Sequence, residues 1–206
     1  KGEGNSISKE DLFYYIYGML HSLEYREKYA NNLSKELPRI PAVKQFTDFQ
    51  AFSTAGRALA ELHIGYETVE KYPVTMNGVA TGGKGKGFDS LIEEFTDEDY
   101  YVKKMKFKGT GKNKDRSTII YNTKITLSDI PLEAYDYIVN GKPAIEWVMD
   151  RQCVKTDKAS GIVNDANDYA KETVGNAAYP LELLQRVITV SLETNKLVNA
   201  LPKLEI

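Results

Sequence analysis

The sequence predicts an α+β fold: an N-terminal helical hairpin plus a third helix, a small and mostly antiparallel sheet with a basic hairpin, and a C-terminal docking helix. Apolar residues recur at helical spacing in residues 9–64 and 180–200, whereas β-branched residues and lysines dominate residues 100–126. The 206 residues suffice for one large or two small domains. We place the boundary between a helical segment, residues 1–66, and a second domain, residues 67–206.

Two helices at about residues 9–21 and 23–36 form the predicted helical hairpin. Ser8 and Asp11 make a capping-box pattern at the start of the first helix, and Ser22 can cap the second. Two prolines follow shortly afterwards, and proline lacks the backbone N–H that a helix interior needs. We therefore expect an extended connector before the next element.

The third helix is predicted at about residues 47–64, where Thr47 and Gln50 make a capping box. Apolar residues keep helical spacing along it, so one face is expected to be buried. The small residues Gly56 and Ala60 lie on this helix and would let another element approach closely.

A glycine-rich segment at residues 77–87 follows a short strand predicted at residues 69–76. Up to Lys84 its spacing matches a phosphate-binding P-loop, but Gly85 stands where that motif needs Ser or Thr to bind magnesium. We interpret the segment as a loop whose lysines, Lys86 included, can lie along a phosphate backbone. A nucleotide-binding enzyme built on this loop is an alternative.

A strand, a turn and a second strand are predicted within residues 100–126, and they form a basic hairpin. Between Lys103 and Lys124 there are eight basic side chains and one acidic one, Asp115. On a chain with a net charge of −2, such a strip is the electrostatic footprint of phosphate contacts. The alternative is an exposed edge hairpin whose lysines block aggregation.

The last third of the chain is predicted to form a turn at Asn140-Gly141, a helix at residues 143–151, a loop at 160–168 and a helix at 180–200. We interpret Trp147 as a core anchor. The loop contains several Asn and Asp residues but lacks the spacing and the final glutamate of a calcium-binding EF-hand. The apolar face of the last helix suggests that it docks on the rest of the domain.

The sequence lacks several catalytic motifs: the Asn-Pro-Pro-Tyr motif of adenine methyltransferases, a dinucleotide fingerprint and a nucleophile elbow. Two distant histidines and one cysteine give no zinc site, and we interpret Arg57 and His63 as structural residues. The single Cys153 excludes an internal disulfide and predicts a cytoplasmic protein. No apolar run reaches membrane-spanning length, so no membrane partner is expected.

Several segments, in order, are similar to part of the type ISP restriction-modification enzymes. The matching segments are YIYG at 15–18, EYREKYANNL at 24–33, KELPRIP at 35–41, AGRALAELH at 55–63, Glu146-Trp147 and SGIVND at 160–165. In these enzymes a nuclease, a helicase-like ATPase, an adenine-N6 methyltransferase and a DNA specificity domain follow one another in one chain. The resembling part is the segment after the methyltransferase core.

The resemblance implies that this chain is a C-terminal specificity domain that recognises duplex DNA and has no catalytic activity of its own. Since it begins Lys-Gly-Glu-Gly without a methionine, we expect it to be a piece of a longer protein. Residues 1–66 would adjoin an upstream methyltransferase domain. No cofactor is expected in this piece, whereas the parent protein is expected to use S-adenosylmethionine, ATP and Mg.

Lysines of the loop and the hairpin would then contact DNA phosphates, and Arg116, Asn113 and Asn122 would read bases, because Arg pairs with guanine and Asn with adenine. The candidate DNA-binding residues are Lys84, Lys86, Lys103, Lys104, Lys106, Lys108, Lys112, Asn113, Lys114, Arg116, Asn122 and Lys124. The alternative function is a protein-interaction module, in which helices 9–64 and 180–201 form a docking surface and the hairpin only aids solubility.

Overall fold

The computed structural model describes residues 6–81 and 92–206, and the chain divides into two compact units. Unit 1 is Lys1–Tyr66 with Glu193–Ile206, and unit 2 is Glu67–Leu192. Unit 1 is helical, and unit 2 combines small antiparallel sheets with helices, so the predicted α+β class is confirmed. The functional division of the chain stays a prediction.

The first two helices of unit 1, α1 and α2, begin where the sequence supplies caps. Its main helices are α1 (Lys9–His21), α2 (Leu23–Lys28), α3 (Ala30–Leu33) and α4 (Phe46–Ile64). The predicted capping box is confirmed: the Asp11 N–H donates to Ser8 Oγ at 3.0 Å, and the Ser8 N–H donates to Asp11 Oδ2 at 3.0 Å. Ser22 caps α2 as predicted by accepting from the Tyr25 N–H.

The single helix predicted at residues 23–36 is wrong, because the chain leaves the helical conformation at Tyr29 (φ −110°, ψ 17°). After α3 the proline-containing connector returns along the buried Tyr25, whose hydroxyl donates to the Arg39 carbonyl at 3.0 Å. The Tyr15 hydroxyl likewise donates to a carbonyl of the connector. These tertiary hydrogen bonds fix a path that a continuous helix would not allow.

The capping box predicted at the third helix is also wrong. Helix α4 begins at Phe46, and its N-cap, Gln45, makes no side-chain capping bond. Thr47 therefore lies inside the first turn, where it cannot cap. Aromatic packing favours the earlier start, since the ring of Phe46 stacks on Phe49 with centroids 5.9 Å apart.

Helices α1 and α4 touch backbone to backbone through two glycines. A Cβ added at Gly56 would lie 1.9 Å from the Tyr14 carbonyl oxygen, and one added at Gly18 would lie 2.3 Å from the Phe52 carbonyl oxygen. Both distances are far below van der Waals contact. The predicted close approach at Gly56 is confirmed, and Gly18 is its counterpart on the other helix.

We expect Gly56→Ala to destabilise the protein by about 1–3 kcal/mol, because the added methyl group overlaps a backbone that cannot rotate away. Helix propensity alone predicts the opposite sign, a stabilisation of roughly 0.5–1 kcal/mol. Urea unfolding at neutral pH measures the difference. The control is Thr54→Ala on the exposed face of the same helix, which should change stability by less than about 0.7 kcal/mol. An increase in stability for Gly56→Ala would contradict the packing described.

His63 has partners on both ring nitrogens. Nδ1 lies 2.8 Å from the Tyr17 hydroxyl, and Nε2 lies 2.9 Å from Thr194 Oγ1. The ring of His21 is close by, with centroids 5.4 Å apart. Burial, and secondarily the charge on His21, lower the pKa of His63 from 6.5 to about 4. At neutral pH His63 is therefore an uncharged structural residue, as the sequence suggested.

Unfolding should become easier in mild acid because of His63. Its pKa is about 4 in the folded state and 6.5 in the unfolded state, so the stabilisation is complete above pH 6.5 and is lost as the pH falls towards 4. Since the ring is partly exposed, solvent screening reduces the loss to about 1–2 kcal/mol. Urea unfolding from pH 7.5 to 4.5 tests this. His63→Gln, which does not titrate, should show a flatter profile, and identical profiles would contradict the assignment.

The main sheet of unit 2 has the strand order β2-β1-β5-β4-β3, with antiparallel neighbours throughout. Its strands are β1 (Thr75–Met76), β2 (Val79–Ala80), β3 (Lys106–Lys108), β4 (Asp115–Ile120) and β5 (Thr126–Ser128). Cross-strand pairing places Ile119 and Leu127 on the buried face. Lys106 pairs with Ile120 on the opposite, exposed face. The basic β3–β4 hairpin is confirmed, and β3 is an edge strand.

The strand predicted at residues 69–76 is reduced to the two residues of β1. The chain before β1 pairs with the last helix instead: the Tyr72 N–H donates to the Gln185 carbonyl at 3.1 Å. After β1, Asn77 and Gly78 adopt positive φ values of 52° and 84° and form a two-residue hairpin turn into β2. Gly78 therefore belongs to a β-hairpin and not to a phosphate-binding loop.

The strand predicted at residues 116–126 is divided into β4 and β5 by a tight turn. The Tyr121 and Asn122 N–H groups both donate to the Ile125 carbonyl, so the chain reverses within five residues. Tyr121 and Ile125 are both buried, so the strand-like alternation of apolar and polar residues continues through the turn. The sequence pattern therefore hid the turn.

The rest of unit 2 consists of two-stranded ribbons and helices. These elements are β6 (Ile138–Val139), β7 (Lys142–Pro143), α5 (Ala144–Arg151), β8 (Val154–Thr156), β9 (Val163–Asp165), α6 (Ala166–Asp168), a π-helical turn (Tyr169–Val174) and α7 (Tyr179–Asn199), whose residues from Glu193 onwards are counted in unit 1. The turn predicted at Asn140-Gly141 and the helices predicted at 143–151 and 180–200 are confirmed. The loop predicted at 160–168 is wrong, because β9 pairs with β8 there.

The core of unit 2 is formed by the buried face of the sheet, by α5 and by α7. Its fully buried members include Val74, Ile119, Tyr121, Ile125, Leu127, Ile145, Leu184 and Ile188. The docking of the last helix is thus confirmed. Trp147 is half-buried and not a core residue: its Nε1 donates to the Val139 carbonyl at 2.6 Å, and Lys142 Nζ lies 4.3 Å from its ring centroid.

Candidate nucleic-acid interface

The basic strip lies on the exposed edge of the main sheet. Strand alternation directs Lys106 and Lys108 to solvent and Phe107 towards the core, and the pairing register shifts between Phe107 and Lys108. The exposed lysines of the strip are Lys103, Lys104, Lys106, Lys108, Lys112, Lys114 and Lys124. The strip therefore follows the β3–β4 hairpin along its length. An edge strand is also where lysines protect against aggregation, so this position agrees with both interpretations.

The tip of the hairpin carries Lys112 and Asn113 in an exposed 3-10 turn, Gly111–Asn113. Gly109 makes this turn possible: its φ is +76°, and a Cβ there would lie 2.2 Å from the Asn113 carbonyl oxygen. Lys114 folds back over the ring of Phe107, with Nζ 4.3 Å from the centroid. The lysines therefore surround the edge strand and do not share one face.

A cavity of about 400 Å³ separates the hairpin from helix α5. Three lysines line it, together with Glu146 and Asp150. Both carboxylates have basic partners: Arg116 Nη2 donates to Glu146 Oε1 at 2.8 Å, and Lys142 forms an ion pair with Asp150. The hydrogen bond from Lys142 lowers the pKa of Asp150. Because the acids are paired, Lys104, Lys106 and Lys114 leave this wall positively charged.

Arg116, a predicted base reader, is held by several partners. Besides the bond to Glu146, its guanidinium lies 5.4 Å from the ring centroid of Tyr135, whose hydroxyl donates to the Arg116 carbonyl at 2.7 Å. A fixed arginine is positioned in advance, but it would have to share or leave its carboxylate to bind a guanine. Its role as a base reader stays a prediction.

Asn122 has a structural role in place of the predicted base-reading role. Its Nδ2 donates to the carbonyls of Asp99 (2.8 Å) and Tyr101 (3.1 Å), and its Oδ1 accepts from the N–H groups of Lys124 (2.8 Å) and Ile125 (2.7 Å). An amide has two donors and two acceptor positions, so none is left for a base. This correction follows from a turn that the sequence pattern did not reveal.

Lys124 forms an ion pair with Asp99, and the hydrogen bond from Lys124 is the main cause of the lowered pKa of that carboxyl group. Lys124 is thus partly committed inside the protein, although its side chain is 62% exposed. Lys84 and Lys86 lie outside the described residues. Of the predicted set, Lys103, Lys104, Lys106, Lys108, Lys112, Asn113 and Lys114 are exposed on or beside one hairpin.

Sequence reasoning missed the β8–β9 ribbon, which brings further basic and apolar side chains to the surface of unit 2. Lys155 and Lys158 are exposed there, as are Ile162 and Val163. The available signal was a pair of short β-branched segments flanking a turn rich in Asp, Ser and Gly, which is a hairpin pattern. Residues 160–168 are rich in turn-forming residues, which favours a loop prediction, and this interpretation hid the ribbon.

No group of three or more metal-ligating side chains occurs within residues 6–81 and 92–206. In the same described part of the chain, every helix is too short or too polar to cross a membrane. The β3–β4 hairpin is an exposed basic surface on a small sheet, and clustered lysines of this kind are typical of proteins that contact nucleic acids.

Comparison with known proteins agrees with this class. A family model described as the Type ISP C-terminal specificity domain matches residues 1–186. The chain belongs to the family of Type ISP C-terminal specificity domains. No curated protein sequence matches it.

Three solved structures are similar to this chain. A nuclease-deletion mutant of the Type ISP restriction-modification enzyme LlaGI, in complex with a DNA substrate mimic, is 42% identical with a TM-score of 0.78 over 100% of this chain. The ATP-dependent Type ISP restriction-modification enzyme LlaBIII bound to DNA is 38% identical with a TM-score of 0.80 over 98%. A DrdV–DNA complex is 30% identical with a TM-score of 0.71 over 97%. The chain spans 14%, 12% and 18% of those chains.

We expect Asn122→Ala to destabilise the protein by about 1–3 kcal/mol, because two backbone carbonyls and two backbone N–H groups lose their partner. Asn113→Ala, at an exposed asparagine in the turn between β3 and β4, is the matched control and should be nearly neutral. Urea unfolding of both variants measures the effect. Equal stabilities for the two variants would contradict the structural role of Asn122.

Proposed function

We propose that this chain binds duplex DNA and recognises a target sequence on behalf of a restriction-modification enzyme. The observation that supports this most directly is the exposed basic β3–β4 hairpin in a chain that belongs to a specificity-domain family. Relatives at 30–42% identity have been solved in complex with DNA or a DNA mimic. The specificity domain has no catalytic role, so its contribution is affinity and choice of site.

The charge distribution supports DNA binding by one part of the surface and argues against binding by the whole surface. The net charge of the chain is −2, and yet eight basic residues and one acidic residue lie between Lys103 and Lys124. Lysines on such a strip neutralise phosphates and release counterions, which gives affinity and register without sequence information. Sequence choice must come from side chains that reach base edges in a groove.

We further propose that the parent protein carries the catalytic parts in other domains: an adenine-N6 methyltransferase, a nuclease and a helicase-like ATPase. It would use S-adenosylmethionine, ATP and Mg, and would act in the cytoplasm. The enzyme would flip the target adenine into the methyltransferase domain while this chain holds the flanking duplex. This division of work accounts for a chain that covers less than a fifth of the length of its solved relatives.

Unit 1 supports a second role, contact with another protein domain. Its surface exposes Leu12 (50%), Phe13 (60%) and Ile64 (83%), which are large apolar residues for which burial is favourable. We propose that residues 1–66 adjoin the upstream methyltransferase domain of the parent chain. The interaction-module alternative thus becomes a property of unit 1, compatible with DNA binding by unit 2.

Binding of a random 30-base-pair duplex should weaken steeply with salt, with a log–log slope of about −4 to −6, since about five phosphates are neutralised. Lys106→Ala with Lys108→Ala should make the slope less steep by about 2, because each lysine accounts for about 0.9. Fluorescence anisotropy across a salt series measures both.

The matched control is Lys9→Ala with Lys35→Ala, which removes two exposed lysines from unit 1 and should leave the slope unchanged. Equal slopes for the wild type and the β3 variant would remove those lysines from the phosphate contacts. If neither the chain nor its parent enzyme binds duplex DNA at low salt, the proposed function is wrong.

A further inference from the structure

The β8–β9 ribbon presents two faces with different chemistry. Lys155 pairs with Asn164, and Thr156 pairs with Val163. Residues directly opposite each other in an antiparallel pair share a face, so Lys155 and Asn164 lie on one face and Thr156 and Val163 on the other. All four residues are exposed. Ile162, next to Val163, is 61% exposed, and Val163 itself is 58% exposed.

The loop that closes the ribbon is held by its own hydrogen bonds. Asp157 Oδ1 accepts from the Ala159 and Ser160 N–H groups (3.1 and 2.8 Å) and from Ser160 Oγ (2.8 Å). The Asp157 N–H donates to the Ile162 carbonyl, and the Gly161 N–H donates to the Asp157 carbonyl. The exposed apolar tip is thus ordered in advance, which lowers the entropic cost of binding a partner.

The base of the ribbon is fixed to the segment that leads into the basic strip. Asn167, which is buried, accepts from the Val102 N–H at 2.9 Å and donates to the Val102 carbonyl at 3.0 Å. The Val154 N–H donates to the Lys103 carbonyl at 3.1 Å. The Tyr101 hydroxyl donates to Asp165 Oδ2 at 3.1 Å. The ribbon and the basic strip therefore share one rigid connection within unit 2.

Both acidic residues of the ribbon are used inside the protein. Asp157 closes the loop, and Asp165 binds Tyr101 and the N–H and side chain of Asn167. The exposed lysine Lys158 lies in the loop. The exposed amide of Asn164, in contrast to that of Asn122, makes no hydrogen bond to residues 6–81 or 92–206. Asn164 thus presents an unused amide on the face that it shares with Lys155, and the exposed side chain of Val163 lies on the opposite face.

We propose that the β8–β9 ribbon is the base-reading element of this chain and that it enters the major groove of duplex DNA. The proposal rests on the DNA-binding function proposed above. A two-stranded ribbon fits the major groove, and an Asn amide can bind adenine N6 and N7. Asn164 is assigned to adenine and Lys158 to a flanking phosphate, whereas Val163 lies on the opposite face of the ribbon. The β3–β4 hairpin then supplies phosphate contacts without choosing the sequence.

The test begins with selection of the preferred site of the wild-type chain from a randomised duplex library. Anisotropy then gives the Kd for the selected duplex and for a scrambled duplex. The specificity ratio is the Kd for the scrambled duplex divided by the Kd for the selected duplex. Asn164→Ala should lower this ratio by about 5- to 150-fold, the value of one bidentate base contact. The Kd for scrambled DNA and the melting temperature should not change, since the side chain is exposed.

Two asparagines serve as comparisons. Asn31→Ala, an exposed position in α3 of unit 1, should leave the ratio unchanged. Asn113→Ala tests the β3–β4 hairpin directly. A ratio that falls with Asn113→Ala and not with Asn164→Ala would overturn the assignment of the ribbon and leave DNA recognition in place.

The remaining outcomes separate the two proposals. Wild-type binding without any site preference, alone or within the parent enzyme, would overturn base reading by the ribbon and keep the phosphate contacts. Absence of binding to any duplex in both forms would overturn the DNA-binding function itself. A lowered ratio together with unchanged salt dependence supports the ribbon as the reading element.

Discussion

Two asparagine amides hold the backbone of residues 99–102. The β3–β4 hairpin and the β8–β9 ribbon are both connected to this segment. Asn122 binds the carbonyls of Asp99 and Tyr101, and Asn167 binds both polar groups of Val102. The strands of unit 2 are two to six residues long, so the ladders alone provide few hydrogen bonds. Side-chain amides supply the bonds that longer strands would otherwise make, and a buried polar group that is fully paired also fixes a single geometry.

Local signals predicted the parts of the fold that local physics determines. The capping box at Ser8, the turn at Asn140-Gly141 and the α7 helix all follow from propensity and periodicity, and each is observed. Near the breaks at Tyr29 and after β4, side chains bind distant partners: Tyr25 binds the Arg39 carbonyl, and Asn122 binds the Asp99 carbonyl. The periodicity of apolar residues describes one element at a time and does not identify such distant partners.

The same distinction applies to the candidate interface. Charge patterning located the basic strip, because lysine side chains are rarely buried in any fold. It did not distinguish Asn113 from Asn122: both are asparagines in turns of one hairpin region, yet one is exposed and the other is saturated by backbone groups. The ribbon was missed because its strands are three residues each and are stabilised by Asn167 and Asp165, which looked like parts of a polar loop.

The separation between anchoring and outward residues in the β8–β9 ribbon has a consequence for how such a domain diversifies. Asp157, Asp165 and Asn167 carry the bonds that shape and attach the ribbon, whereas the side chains at 156 and 162–164 make no hydrogen bond to the part of the chain that the structure describes. Substitutions at those outward positions therefore meet little resistance from folding stability. During evolution the outward side chains of the ribbon can therefore change while its backbone conformation is kept.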